Sequence, residues 1–297
     1  MAWIVNKLLE FIGRLSDWTA ALIWFFRDKL ALPVKTSGIV VDVGSGHSPH
    51  FRAHVLVEKY LTDTTGHRIG RFSRRHASQI VCIADAARLP FCDRAIDFVI
   101  ASHLFEHLSE PDVIAAEFSR AARGGYIECP SEWIEHMFPF PSHLWYVSNL
   151  SSGGLGFVPK QQDRDRSLER ALLSNLASDR HLRALFHDRR AWTERVVWQD
   201  VLTCQVEGPP DAPDPDGSTP HRANPPLIDV LRRVLARSLS PLFRPAPLAE
   251  ETILAAMCCP ECRANLMAGE RGLTCHRCNK LYPRVGFTID FLQPTAP

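Results

Sequence analysis

The sequence predicts an α/β fold built on a mostly parallel sheet with helices on both faces. Three observations carry that prediction. Short β-branched runs recur along the first half of the chain, helical stretches fit between them, and the first run ends in a glycine-rich turn. The 297-residue chain is 45% hydrophobic and 23% charged, enough apolar material for a true core.

Five strands are expected in order. Gly38-Ile-Val-Val-Asp-Val43 is a short β-branched run, largely apolar, which reads as a strand buried on both faces. His54–Glu58, Gln79–Asp85, Ile96–Ser102 and Gly125–Cys129 repeat the pattern. A helix is expected around Glu110–Ala122, and a charged helical region over 164–190. Trp192–Trp198 and Leu202–Val206 would supply the last strands of the same sheet.

The ends are organised differently. Residues 1–35 place Trp3, Ile4, Leu8, Phe11, Leu15 and Trp18 at helical spacing, with Lys7, Glu10, Arg14 and Asp17 as a polar stripe. The longest uncharged run, Trp18 to Phe26, is far short of the ~20 residues a membrane span needs. The segment is read as an amphipathic helix packed on the main domain, with in-plane peripheral membrane contact through residues 1–32 as the alternative. Residues 36–206 form the main domain. Residues 207–226 hold seven prolines and read as a linker. Residues 227–250 carry a basic amphipathic helix with Arg232, Arg233 and Arg237, and 251–297 form the last unit.

The net charge is +1, from 34 Lys+Arg against 33 Asp+Glu, so there is no strong nucleic-acid signal. Scattered thiols and the lack of a signal-peptide pattern at the N-terminus suggest a cytoplasmic setting.

The loop after the first strand is Asp42-Val43-Gly44-Ser45-Gly46. Glycines there allow a sharp turn and close approach to a ligand, which in open α/β sheets binds beyond the carboxyl ends of the strands. Glu58 ends the second strand and suits two ribose hydroxyls. Asp85 ends the third and suits an exocyclic amine. Ser102 and His103 end the fourth and line the same crevice. A dinucleotide loop would continue to a third glycine or alanine, where this chain has Pro49, and no phosphate loop is present. The pattern fits an adenosine without phosphates, and S-adenosylmethionine answers that description.

With Val40–Gly46, Ala84-Asp-Ala-Ala-Arg-Leu-Pro-Phe91 and Asp97–Leu108 in view, residues 38–130 resemble a class I methyltransferase. The resemblance implies that Gly44 and Gly46, with Asp42 and Ser45, cradle the methionine end of the donor. It further implies that Glu58 binds ribose and that Asp85 with Ala86 binds adenine. The segment after the fourth strand would face the acceptor. Methyl transfer from a sulfonium needs alignment above all, and a general base only for an acceptor of high pKa. His107, His143 and Glu106 are the candidate catalytic groups. His103, Glu128, His136 and Trp145 lie in the same region of sequence. The acceptor class stays open among small molecules, glycan or lipid intermediates, RNA and protein. A non-catalytic scaffold acting through the C-terminal unit is the alternative function.

Near the C-terminus, Cys259-Pro-Glu-Cys262 and Cys275-His-Arg-Cys278 are two knuckles suited to a tetrahedral four-cysteine zinc site. A unit this small has little core of its own, which gives a structural metal a clear purpose. Cys258 and His276 break the knuckle spacing. Residues 256–292 resemble the small zinc-ribbon subunit that activates tRNA and protein methyltransferases, here fused to its enzyme. Four thiolates would leave no open metal position, so the resemblance implies a stabilising or acceptor-presenting role.

Overall fold

The computed structural model describes residues 38–62, 78–160, 192–211 and 238–295, with Thr19, Leu22, Phe25, Phe26, Leu32, Ala171, Leu172, Val230, Leu231, Val234 and Leu235. Most of the expected N-terminal helix, the charged region 164–190 and most of the proline-rich linker lie outside the described residues.

The five expected strands are all present: β1 Val40–Val43, β2 Val55–Glu58, β3 Ile80–Ile83, β4 Phe98–Ser102 and β5 Gly124–Pro130. They pair in parallel in the order β3-β2-β1-β4-β5. The order reverses between β1 and β4, which makes a topological switch point there. Alternation along β1 explains how both faces are covered. Val41 and Val43 enter one core cluster with Ile114, Ala115 and Phe118 of helix α1 (Pro111–Ala121). Val40 faces the other way, with Leu56, Phe98, Ile100 and Tyr126, and Leu32 packs on that side.

Beyond β5 the expectation needs correction. Residues 132–137 form a short helix, α2 (Glu132–Met137). Trp145–Asn149 (β6) and Leu155–Pro159 (β7) make an antiparallel hairpin that is not among the expected strands. Thr193–Gln199 (β8) joins the main sheet as expected, antiparallel to β5. Cys204–Val206 (β9) does not. It pairs with β7 in a separate three-stranded sheet, because its hydrogen-bonding edge meets the hairpin instead.

In the expected 227–250 helix and connector, Val230, Leu231, Val234, Leu235, Ser238 and Leu239 are helical, with Leu231 and Leu235 buried. A 3-10 turn at Ser240–Phe243 follows. Phe25 is fully buried and stacks on Phe51 at 5.9 Å, with Phe243 at 6.3 Å. At this position the N-terminal segment packs on the protein. No helix among the described residues is long and apolar enough to cross a membrane.

After α3 (Glu250–Ala255) come β10 Leu266–Gly269, β11 Gly272–Cys275, β12 Leu281–Val285 and β13 Thr288–Asp290. These four are successive antiparallel neighbours, and β13 then pairs in parallel with β3. The C-terminal unit thus extends the main sheet to ten strands.

Candidate functional site

The glycine loop is held from beneath. Gly44 and Gly46 have φ of +70° and +56°, the left-handed region that glycine enters without cost. Gly44 N–H donates to Val57 O at 2.8 Å. Glu58 is 2% exposed, and its Oε1 accepts from Gly46 N–H at 2.6 Å and from Ser45 Oγ at 2.8 Å. Asp42 is buried below the same loop and accepts from His50 N–H at 2.7 Å. In this state Asp42 and Glu58 shape the cradle.

The neighbouring strand ends converge on it. Glu58 pairs with Ile83 in register, so the Asp85 turn follows directly beside it. Asp85 Oδ1 accepts from Ala87 N–H at 2.9 Å, and Lys59 Nζ lies 2.8 Å from Oδ2. Burial works to raise the Asp85 pKa, but the Lys59 hydrogen bond and charge prevail and hold it below the usual carboxylate value. Across the switch point, a Cβ on Gly44 would lie 2.8 Å from Leu104 Cδ1, so the segment after β4 touches the glycine loop. His103, at the end of β4, has φ +56°. A non-glycine residue there is a strained feature of the kind that clusters at functional sites.

The second group of residues lies on that post-β4 segment. Phe105–His107 form a 3-10 turn, tied to the 140–145 segment by Leu144 N–H to Glu106 O (2.8 Å) and Trp145 Nε1–H to Leu108 O (2.7 Å). That turn brings Glu106, His107 and His143 together: one ligand-type atom from each lies within 4.8 Å of the others. Glu106 is fully buried, and neither carboxylate oxygen has a hydrogen-bond partner of good geometry. His103 Nδ1 lies 3.3 Å from Oε1. Burial opposes charge on Glu106, but His103, His107 and His143 outweigh it and hold the carboxyl well below its ordinary value. Burial is also the largest influence on His107, and lowers its pKa.

Some candidates stand elsewhere. His136 is half-exposed, pairs with Glu132 and stacks on Tyr146. Trp145 is fully buried in the core. Glu128 accepts from Tyr126 Oη (2.6 Å), pairs with Arg195 (2.9 Å) and lies 3.4 Å from His103 Nε2. Sequence reasoning missed Glu135, Lys160 and Lys59. Glu135 on α2 contacts His143 Nδ1 and accepts from Lys160 Nζ at 2.7 Å. A buried acid with a basic residue at the end of β7 gave no local pattern to find.

At the other end of the sheet the two cysteine knuckles meet. All four Sγ atoms lie within 4.8 Å of one another, with Cys259–Cys278 at 3.7 Å and Cys262–Cys275 at 3.4 Å. A tetrahedron with Zn–S of about 2.3 Å has edges of about 3.8 Å, so the donor set fits zinc. Cys258 stands outside the group, and His276 Nδ1 is engaged with Asn265 O.

The comparisons with known proteins concern the domain that carries these strand ends. Residues 41–128 match the family model of the methyltransferase domain. The match spans β1 to β5, well under half of the chain. A search of curated proteins returned no match. Among solved structures, one similar chain comes from the complex between the Haloferax volcanii Trm112 methyltransferase activator and a protein described there as a methyltransferase. It is 16% identical, with 62% of this chain and 95% of that one covered and a TM-score of 0.32. A SAM-dependent methyltransferase from Thermotoga maritima is 22% identical over 43% of this chain and 60% of its own, TM-score 0.27. Phosphoethanolamine N-methyltransferase 2 of Haemonchus contortus is 15% identical over 44% and 34%, TM-score 0.26. Likeness at such scores says nothing about chemistry.

Proposed function

We propose that the protein is an S-adenosylmethionine-dependent methyltransferase whose C-terminal unit is a structural zinc ribbon fused in cis. The observation that carries this reading is the cradle at the switch point. Gly44 and Gly46 are braced by Glu58 from below and meet Leu104 of the acceptor-side segment. The methionine end of the donor would lie on Gly44–Gly46, with the ribose toward Glu58 and the adenine toward Asp85 and Ala86. Ser102 and His103 would separate donor from acceptor. Glu106, His107 and His143 would face the acceptor and position it, or accept its proton.

Cys259, Cys262, Cys275 and Cys278 would hold zinc. When bound, the ion supplies rigidity to the knuckles and no reaction chemistry, since four thiolates fill its coordination. Tyr282 Oη lies 3.0 Å from Cys259 Sγ and would steady one ligand.

Isothermal calorimetry with S-adenosylmethionine, paired with a labelled-methyl screen of RNA, protein and lipid fractions, tests the reading. Saturable one-site binding and label transfer into one fraction are expected. No donor binding to folded protein would overturn it in favour of a non-catalytic binding module.

A further inference from the structure

Glu106, His107 and His143 bring one ligand-type atom each within 4.8 Å of one another, apart from the cysteine cluster. We infer that these three side chains bind a divalent transition-metal ion.

The orientation of the two imidazoles is the first argument. His107 Nδ1 is 3.0 Å from Ser142 O, and His143 Nδ1 contacts the Glu135 carboxylate. Each ring therefore has its Nδ1 committed, which leaves Nε2 as the ligating nitrogen. A backbone carbonyl or a carboxylate on the far nitrogen is the usual way a metal-binding histidine is fixed in tautomer and direction. Glu135 is itself held, by Lys160 Nζ at 2.7 Å and Phe140 N–H at 3.2 Å, and Lys160 also reaches Phe140 O at 2.7 Å. The ring of Phe140 stacks on His143 at 4.6 Å. His143 thus sits in a rigid frame that does not depend on Glu106.

The second argument is the carboxylate. Glu106 is completely buried, its oxygens make no hydrogen bond of good geometry, and it shares its space with those two imidazoles, with His103 Nδ1 3.3 Å from Oε1. A buried carboxylate of this kind has room for a further direct partner, since each of its two oxygens can accept more than one. A cation between Glu106 and the two rings would provide that partner.

Two imidazoles and one carboxylate suit zinc, iron or another borderline divalent ion, and they suit magnesium or calcium poorly. Three protein ligands leave coordination positions for water or an oxygen of a bound molecule, unlike the closed cysteine site. Metal binding at this site stands whether or not the donor reading above is right.

Titration of the full-length chain with cobalt(II) under reducing conditions tests the inference. Two equivalents are expected. One should show the intense thiolate charge-transfer absorption of a cysteine site, and the other only weak ligand-field bands. In Glu106→Gln/His143→Gln the second equivalent should vanish while the thiolate band stays. Wild-type protein that saturates at one equivalent would overturn the inference, as would a double variant that still takes two. Should that variant fail to fold, Cys259→Ser/Cys262→Ser provides the complement. It is expected to bind one cobalt without the thiolate band, and zero would overturn the inference.

Discussion

Arg263 of the ribbon lays its guanidinium against both carboxylate oxygens of Glu117 in α1, at 3.1 and 3.2 Å. The same guanidinium donates to Leu89 O at 3.0 Å. Glu117 is buried and also accepts from Leu89 N–H (2.7 Å) and from Arg120. One carboxylate therefore joins the ribbon, the helix and the loop after β3.

The two ends of that contact should differ in cost. Glu117→Ala leaves Leu89 N–H unpaired and Arg263 without its carboxylate, while Arg120 keeps Asp93 at 2.6 Å, and should destabilise by about 3 kcal/mol. Arg263→Ala removes a partner whose side chain is 36% exposed, and should cost about 1 kcal/mol. Urea unfolding of the two variants and their double mutant measures both values and the coupling between them.

Gly44→Ala should weaken donor binding and destabilise the protein by about 1 kcal/mol, the cost of placing an L-residue in the left-handed region. The new methyl would press on Leu104 Cδ1, but that is the end of a flexible side chain and can move. The strain at φ +70° cannot be relieved this way. The loss should therefore persist when Leu104→Ala is added. Thermal melts and donor calorimetry on the single and double variants would check this, and full rescue would assign the effect to the clash.

Much of this was legible in sequence, and the exceptions have physical causes. The parallel strands announce themselves because burial on both faces demands unbroken β-branched runs. The β6–β7 hairpin went unread because each strand is a short run with no clear period, although Ser151-Ser152-Gly153-Gly154 between two apolar runs is a turn signal. Both glycines there have positive φ. Glu106, His107 and His143 were recognisable as chemistry-bearing residues. Their frame was not, because Glu135 reaches His143, and Lys160 reaches Glu135, only through the packing of α2 against β6 and the close of β7. The unit at 251–297 read as separate because nothing local encodes pairing with a strand some two hundred residues upstream.

The Lys59–Asp85 pair should appear in the acid arm of stability. The folded pKa of Asp85 is depressed, so its contribution is present above its unfolded value, about 3.9, and fades as pH falls through the lower folded value. Lys59 is raised, chiefly by its hydrogen bond to Asp85, so its contribution holds below about 10.4 and is lost as pH rises through the higher folded value. Both side chains are at least one-third exposed, so salt should shrink the effect. Lys59→Met should raise the Asp85 pKa and flatten both arms. Carboxyl-carbon NMR titration reads the first change, and denaturant melts across pH read the second.

Removal of a metal held by Cys259, Cys262, Cys275 and Cys278 should be felt in the main sheet. With the knuckles released, β12 and β13 lose their anchor, and the backbone bonds from β13 to β3 should open. Hydrogen exchange by mass spectrometry after chelation should show faster exchange at Thr288–Asp290 and Ile80–Ile83, with β4 and β5 unchanged. Unchanged protection at Ile80–Ile83 would mean that the sheet holds without the metal.

The pairing of β13 with β3 has a further consequence. Without it, β3 would present a bare row of amides and carbonyls along a run of Ile80, Val81, Cys82 and Ile83, an invitation to adhesion between molecules. A separate subunit could cover that edge only while its concentration stayed above the dissociation constant. A covering strand on the same polypeptide is always at hand, in one-to-one ratio, at an effective concentration that dilution does not change. Protection of the edge is then a property of each molecule, made once at synthesis and independent of how much of the protein a cell contains.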